Sequence, residues 1–145
     1  MILCIGDVLS AQALARVRET LQTSAFRDGR ETAGWHARTV KRNTQADGRE
    51  RAVQTIHDEV DQAIAASSLF QMAARPKRVK PVLFSRYEPG MDYGSHVDDA
   101  VMGQGVEAMR TDIAFTLFLS EADSYAGGEL ITDTSAGEQH YKLPA

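Results

Sequence analysis

The chain has 145 residues, of which 43% are hydrophobic and 25% are charged, and its net charge is −4. This length and composition suffice for one globular domain with a hydrophobic core, and the mild negative charge excludes recognition of a polyanion by long-range charge alone. The single cysteine, Cys4, excludes an internal disulfide, so a reduced, cytoplasmic setting is expected.

The first residues are apolar but lack the features of a leader. Residues 2–5 (ILCI) have no basic region before them, and Asp7 ends the apolar run. The run is too short for a signal peptide or a membrane span. It predicts a first β-strand in which Cys4 is a small core residue and not a reactive thiol.

Two helices are predicted in residues 1–77, which we expect to form a helical support region. Ser10 is a good N-cap, and the apolar residues after it recur at helical spacing: Ala13, Leu14, Val17 and Leu21. Residues 31–45 are polar and irregular, and predict a loop with at most one short strand. Asp47-Gly48 then introduces a second helix. Its apolar positions are Val53, Ile56, Val60, Ile64 and the Leu69-Phe70 pair.

Residues 78–145 have the character of a β region. Residues 79–87 and 112–120 are β-branched, aromatic or alternately apolar over strand length, and each predicts a strand. A hairpin is expected from strands at 129–132 and 139–143 around a turn at 133–137. Helices followed by antiparallel strands are typical of an α+β domain.

A candidate metal-binding pair lies in the stretch SRYEPGMDYGSHVDDA, residues 85–100. Residues at i and i+2 of an extended segment point to the same side, so His96 and Asp98 can present ligands to one ion. An imidazole and a carboxylate form one edge of the facial triad that binds non-haem Fe(II) and leaves other positions open. Most isolated H-x-D pairs bind nothing, so the surrounding sequence decides the interpretation.

That surrounding sequence is R-Y-x-x-G-x-x-Y-x-x-H-x-D over residues 86–98, followed by Y-x-G-G-E-L at 125–130. Four further stretches are IGDVLS at 5–10, DGRETAG at 28–34, VKRN at 40–43 and RTDIAFTLFLSE at 110–121. In this order and spacing the chain resembles the PKHD-type hydroxylases, in the prolyl-4-hydroxylase-like branch of the Fe(II)/2-oxoglutarate dioxygenases. The resemblance covers essentially the whole chain.

The resemblance implies a fold, a cofactor and a reaction. The fold would be a double-stranded β-helix, or jelly roll, with N-terminal helices packed on it. His96 and Asp98 would bind Fe(II), and Tyr87 and Tyr93 would line the cosubstrate pocket. The family couples decarboxylation of 2-oxoglutarate, which yields succinate and CO2, to hydroxylation of a C–H bond, and L-ascorbate keeps the iron reduced. The resemblance also suggests a role in iron homeostasis and an unidentified small-molecule or peptidyl substrate.

The family pattern has two further residues, a second histidine ligand and an arginine that pairs with the far carboxylate of 2-oxoglutarate. A guanidinium suits that task because it offers a planar, bidentate match to a carboxylate. Neither residue is found at the required place, so both are expected beyond residue 145, and the chain is expected to be C-terminally truncated with an incomplete β-helix. The alternatives are a catalytically inactive fragment or an iron- or partner-binding module on the same scaffold. Open sheet edges would also permit a homo-oligomer or strand exchange.

The other histidines are interpreted as structural. His140 is the only histidine after Asp98, and we expect it to be a half-exposed pairing residue of a strand. His36 and His57 precede the β region. His57 is expected to be either satisfied by hydrogen bonds or facing solvent.

Several other residues have open or minor roles. We expect Asp99 to face away from Asp98 in a strand. Glu129 fits a polar strand position as well as a pocket role, and Arg110 fits either a substrate contact or a surface pair with Asp112. Trp35 is expected to anchor its loop to the core.

The basic run at residues 75–80 is interpreted as a solvated lead-in to a strand. Nucleic-acid binding is not expected, because the chain lacks clustered aromatic residues and is acidic overall. No membrane association is expected either.

Overall fold

The computed structural model describes residues 2–145. Its helices are α1 (Ala11–Thr23), α2 (Arg51–Ala66) and α3 (Ser68–Ala74). Its strands are β1 (Phe26–Asp28), β2 (Lys41–Arg42), β3 (Thr44–Ala46), β4 (Ser85–Arg86), β5 (Asp92–Tyr93), β6 (Val101–Met102), β7 (Met109–Arg110), β8 (Leu130–Thr134) and β9 (Gly137–Tyr141). Helices and small antiparallel sheets coexist, so the predicted mixed α+β class is confirmed.

The hydrophobic core lies between α1 and α2. The Ser10 hydroxyl accepts a hydrogen bond from the Ala13 amide at 3.2 Å and caps α1 as predicted. The fully or nearly fully buried core residues are Val17, Val53, Ile56, Val60, Ile64 and Phe84. The helical spacing read from the sequence therefore identified the buried faces of both helices correctly.

The second helix is shorter than predicted, because the chain breaks at Ser67. The Ser67 amide donates to the carbonyls of Ala63 and Ile64 at the end of α2. Its hydroxyl accepts from the Phe70 amide at 3.3 Å and caps α3. One serine thus ends one helix and begins the next, so the prediction of a single helix through Leu69-Phe70 was wrong.

Residues 31–45 hold more strand structure than predicted. They contain β2 and the first two residues of β3, each paired with a strand from the β region. β3 lies between β1 and β4, and β2 pairs antiparallel with β5, so that Lys41 is opposite Tyr93. The prediction of a loop with at most one short strand was therefore wrong. These pairings bring the segment before α2 beside the stretch that contains His96.

The predicted hairpin is confirmed, with strand bounds shifted by one to two residues. β8 and β9 pair antiparallel from Leu130 opposite Tyr141 to Thr134 opposite Gly137. Gly137 has a φ of +100°, which favours glycine at this turn. The strands of residues 2–145 form four separate small sheets.

Two further strand predictions were too long or wrong. Within residues 79–87 only Ser85–Arg86 is in a strand, and residues 112–120 have no ladder partner. The latter segment is held by side chains instead. Leu117 and Leu119 pack against the core, and Arg18 of α1 donates to the Leu119 carbonyl. A strand needs a hydrogen-bonding neighbour, and this segment lacks one in the part of the protein that the structure describes.

The predicted first strand at residues 2–5 is also absent from the structure. Ile2 and Leu3 are 47% and 59% exposed, and Cys4 is an exposed free thiol. The assignment of Cys4 to the core was wrong, because no neighbouring strand covers this segment.

Among residues 2–145, no helix combines the length and apolar character that a membrane crossing requires.

Candidate metal site

The backbone that leads into His96 is fixed by pairing between β5 and β2. Directly after β5, the Gly94 amide donates to the Val40 carbonyl at 2.8 Å. A Cβ on Gly94 would lie 3.0 Å from the Val40 Cβ, so a side chain here would push the two segments apart. The two-stranded ribbon thus sets the position from which the His96 side chain extends.

The His96 ring is oriented by one ring stack and one hydrogen bond. It stacks on Tyr93 with centroids 3.8 Å apart and an interplanar angle of 14°. Its Nδ1 lies 2.8 Å from the Gly94 carbonyl oxygen. A carbonyl oxygen only accepts hydrogen bonds, so the proton resides on Nδ1 and the Nε2 lone pair is free to bind a metal.

The free Nε2 faces a carboxylate oxygen. Asp98 Oδ1 lies 3.4 Å from His96 Nε2, and the two side chains are 67% and 20% exposed, respectively. Two ligand atoms at about 2.1 Å from one octahedral ion, and at right angles, lie roughly 3 Å apart. The observed separation therefore fits two adjacent ligands of one ion. An imidazole–carboxylate pair suits Fe(II), Mn(II) or Zn(II).

A third protein ligand is not found nearby. Among residues 2–145, no group of three or more histidine, cysteine, aspartate or glutamate side chains is arranged to hold a metal ion. His96 and Asp98 are thus a candidate pair of ligands, which would leave most of a coordination sphere open.

The two predicted pocket tyrosines differ in their contact with the pair. Tyr93 is in direct contact with His96. Burial raises the pKa of the Tyr93 phenol above its usual value, and the Asp98 charge raises it further. Tyr87 is 47% exposed, and burial of its hydroxyl raises its pKa while the nearby Asn43 side chain opposes the rise. Both phenols therefore stay protonated at neutral pH and can donate hydrogen bonds.

The remaining polar candidates lie outside the pair. Residues 96–99 are not in a strand, so strand alternation does not place Asp99; its carboxylate packs against the Gly34 backbone. Arg110 forms a surface pair with Asp112 at 2.8 Å. His140 lies on β9, exposed, with Nε2 3.8 Å from Glu138, and Glu129 is exposed.

The expectations for two residues of the N-terminal region were wrong. Trp35 is 82% exposed and does not anchor its loop to the core; its ring contacts only the edge of His36 among aromatic neighbours in the described residues. His57 is half-buried against Phe84, with the two ring centroids 4.7 Å apart. Its Nδ1 is buried without a hydrogen-bond partner. Its Nδ1 is therefore unsatisfied, and its side chain is only partly exposed.

Sequence reasoning missed three buried polar residues in the segment that contains β2 and β3, Lys41, Asn43 and Gln45. They are 5%, 4% and 6% exposed, respectively. Their i, i+2, i+4 spacing in VKRNTQ is the signal that could have found them, because polar residues at this spacing line one side of an extended chain. The signal was hidden by the expectation of an irregular loop.

Comparison with known proteins identifies relatives along the entire chain. A PKHD-type hydroxylase of Synechococcus elongatus is 48% identical over 145 residues, which are 100% of this chain and 65% of that protein. A PKHD-type hydroxylase of Synechococcus sp. strain JA-3-3Ab is 50% identical over the same 145 residues and is covered to 65%. One of Acaryochloris marina is 44% identical over 145 residues, with 64% of its length covered. No family model matches the chain.

These relatives define a class, the hydroxylases. More specifically, the chain is homologous over its full length to the PKHD-type hydroxylases, so the resemblance drawn from its motifs is confirmed. The chain spans about 65% of the length of the curated relatives it matches.

Proposed function

We propose that these 145 residues form part of an Fe(II)- and 2-oxoglutarate-dependent dioxygenase that hydroxylates a C–H bond. The observation that carries the proposal is the His96–Asp98 pair, in which Nε2 and Oδ1 lie 3.4 Å apart while His96 Nδ1 lies 2.8 Å from the Gly94 carbonyl oxygen. The names of the relatives support hydroxylation as the reaction class.

The proposal includes parts of the site that lie outside the chain. We expect the third ligand histidine and the arginine for 2-oxoglutarate beyond residue 145, in a segment that would also complete a double-stranded β-helix. Residues 112–120 support this idea, because most of them are apolar and they lack a strand partner among residues 2–145. Ile113 and Phe115 are 60% and 41% exposed there.

Within this proposal each residue has a physical task. His96 and Asp98 hold the iron, and the Gly94 carbonyl keeps the His96 proton on Nδ1. Tyr93 fixes the plane of the imidazole by stacking on it, and Tyr87 donates a hydrogen bond into the cosubstrate pocket. When bound, iron with 2-oxoglutarate, and with L-ascorbate as reductant, supplies the oxidising chemistry, while the protein orients the reactants.

The substrate and setting are proposed only by class. We propose a small-molecule or peptidyl substrate, a cytoplasmic location and a connection with iron homeostasis. Association of copies through β8 is part of the proposal, since Leu130 and Ile131 on this strand are 39% and 50% exposed.

A second candidate function is an iron- or partner-binding module without turnover, or an inactive fragment. The absence of a three-residue metal cluster among residues 2–145 favours it. An ion held by two protein ligands would be bound weakly and would exchange readily.

Metal titration tests metal binding by the His96–Asp98 pair, which both candidate functions share. We expect Mn(II) to bind the chain, and His96→Ala or Asp98→Ala to weaken binding about tenfold or more. His140→Ala is the matched control, since this histidine also faces a carboxylate but lies on β9. Equal affinity of wild type and His96→Ala would rule out the metal site.

A chimera separates the two candidates. The segment that the Synechococcus elongatus relative has beyond the aligned region would be joined after Ala145. Succinate formation from 2-oxoglutarate by the chimera, and its loss in His96→Ala, would support the dioxygenase. A chimera that folds and binds Mn(II) without forming succinate would favour the module.

A further inference from the structure

Three buried polar side chains, Lys41, Asn43 and Gln45, occur in the segment that contains β2 and β3, and the Thr32 hydroxyl contacts both Lys41 and Gln45. Gln45 has its hydrogen bonds made within the protein. Its Oε1 accepts from Thr32 Oγ1 at 2.6 Å, and its Nε2 donates to Ser85 Oγ at 3.2 Å. Gln45 is therefore a structural residue that ties neighbouring segments together.

Lys41 and Asn43 differ from Gln45 in having unused hydrogen-bonding capacity. The Lys41 ammonium donates to Thr32 Oγ1 at 3.3 Å, and no carboxylate of residues 2–145 lies within 4.0 Å of it. Both side-chain polar atoms of Asn43 are buried without a well-formed hydrogen bond, although the Tyr87 hydroxyl is close enough for the amide to influence its pKa. Buried polar groups are nearly always paired, so this capacity indicates a missing partner.

The unused capacity adjoins the metal pair. Lys41 is opposite Tyr93 in the β2–β5 register, and its Nζ lies 5.0 Å from the centroid of the Tyr93 ring. The same ring stacks on His96, with centroids 3.8 Å apart. One aromatic ring therefore lies close to both a buried cation and the candidate metal ligand.

The partner required is an anion that accepts hydrogen bonds. A buried ammonium without a counter-ion is costly, and an ammonium with an amide N–H matches the two oxygens of a carboxylate. Burial lowers the pKa of the Lys41 ammonium, while the nearby Asp28 charge raises it. An arriving carboxylate would stabilise the charged form in the same way as Asp28.

We propose that Lys41 and Asn43 form a carboxylate-binding subsite for an acidic substrate, next to the Tyr93 ring that stacks on His96. This inference rests on the proposed function for its position, but the subsite requires no metal. The carboxylate belongs to the substrate, because the proposed function already gives the far carboxylate of 2-oxoglutarate a partner, the arginine expected beyond residue 145.

Calorimetric titration of the 145-residue chain tests the subsite, with succinate and 2-oxoglutarate as probes and Mn(II) alone as the metal control. We expect Lys41→Met to weaken succinate binding about tenfold or more, since a charge-assisted hydrogen bond is lost. Mn(II) affinity should stay within about twofold, because Lys41 is not a ligand. Lys142→Met is the matched control, as Lys142 also lies over an aromatic ring, Tyr125, at 3.9 Å, outside the site.

The outcomes separate the two proposals. If Lys41→Met bound succinate and 2-oxoglutarate as tightly as wild type does, the subsite would be overturned. Failure of Mn(II) to bind wild type would overturn the proposed function, and the metal-free succinate arm would still decide on Lys41. Asn43→Ala should also weaken succinate binding. An unchanged succinate affinity in this variant would remove Asn43 from the subsite.

The source of the carboxylate follows from competition. A Lys41-dependent affinity for 2-oxoglutarate that excludes succinate would assign the subsite to the cosubstrate and overturn the proposal. Lys41-dependent binding of succinate in the presence of saturating 2-oxoglutarate and Mn(II) assigns it to an acidic substrate. Loss of folding in Lys41→Met is checked by thermal unfolding. Added succinate should raise the melting temperature of wild type but not of Lys41→Met.

Discussion

The rings of Tyr93 and His96 stack with their centroids 3.8 Å apart, three residues apart in a chain that has just left β5. This contact links the strand pairing of the fold to the candidate ligand. The Gly94 carbonyl lies between them in sequence and holds the His96 Nδ1 proton. The orientation of the ligand is therefore built into a segment of four residues.

Replacing the Tyr93 ring tests this orientation. Tyr93→Leu should weaken Mn(II) binding about threefold to tenfold, because an aromatic stack contributes about 0.5–1.5 kcal/mol. Tyr93→Phe keeps the ring and should stay within about twofold of wild type. Calorimetric titration measures both. An equal loss of Mn(II) affinity in Tyr93→Phe and Tyr93→Leu would mean that the Tyr93 hydroxyl, and not the ring stack, supports metal binding.

Gly29→Ala should destabilise the fold beside the proposed subsite. A Cβ on Gly29 would lie 1.8 Å from Asn43 Oδ1. Forcing the amide away should lower the free energy of unfolding by about 1–3 kcal/mol, as measured by urea denaturation.

Gly48→Ala is the control for this substitution, since a Cβ there meets nothing within 4 Å. It should change stability by no more than about 0.5 kcal/mol. Adding Asn43→Ala to Gly29→Ala removes the clashing atom and should recover part of the loss. No recovery would show that the clash is not the cause.

The α1–α2 core predicts a large difference between two isoleucines. Ile56 is 3% exposed in the core, whereas Ile113 is 60% exposed on the segment without a strand partner. Ile56→Ala should lower the free energy of unfolding by about 2–5 kcal/mol, since it leaves a cavity. Ile113→Ala should cost no more than about 0.5 kcal/mol in the 145-residue chain, also measured by urea denaturation. A similar cost for both would mean that residue 113 is buried in solution.

His57 should make stability depend on pH in the mildly acidic range. Burial lowers the pKa of His57 below its ordinary value of 6.5, and the charges of Asp61 and Asp58 only partly oppose this. The unfolded chain therefore binds this proton more readily than the folded chain. The stability contribution is fully present above a pH of about 6.5 and is lost as the pH falls below it.

Urea unfolding at a pH of about 7.5 and about 5.5 measures this effect. The wild-type free energy of unfolding should fall between the two values, and His57→Gln should reduce that fall. An identical fall in both proteins would assign the acid sensitivity to other groups.

Local features of the sequence determined the helices, the hairpin and the candidate ligand pair. An α-helix makes its hydrogen bonds within four residues, so the apolar spacing after Ser10 and the spacing from Val53 to Ile64 sufficed to place α1, α2 and their buried faces. The turn before Gly137 joins strands that pair with each other, which is also a local event. His96 and Asp98 are two residues apart, so their proximity required no long-range contact.

Tertiary structure decided the rest. Whether Cys4 or Trp35 is covered depends on elements distant in the chain, and both proved exposed. Residues 112–120 have the composition of a strand, but a strand exists only with a hydrogen-bonding neighbour. Likewise, Lys41 became a buried cation beside Tyr93 only because β2 pairs with β5 across about fifty intervening residues. Sequence supplied the candidate ligand pair, and long-range pairing placed a cation near the ring that stacks on His96.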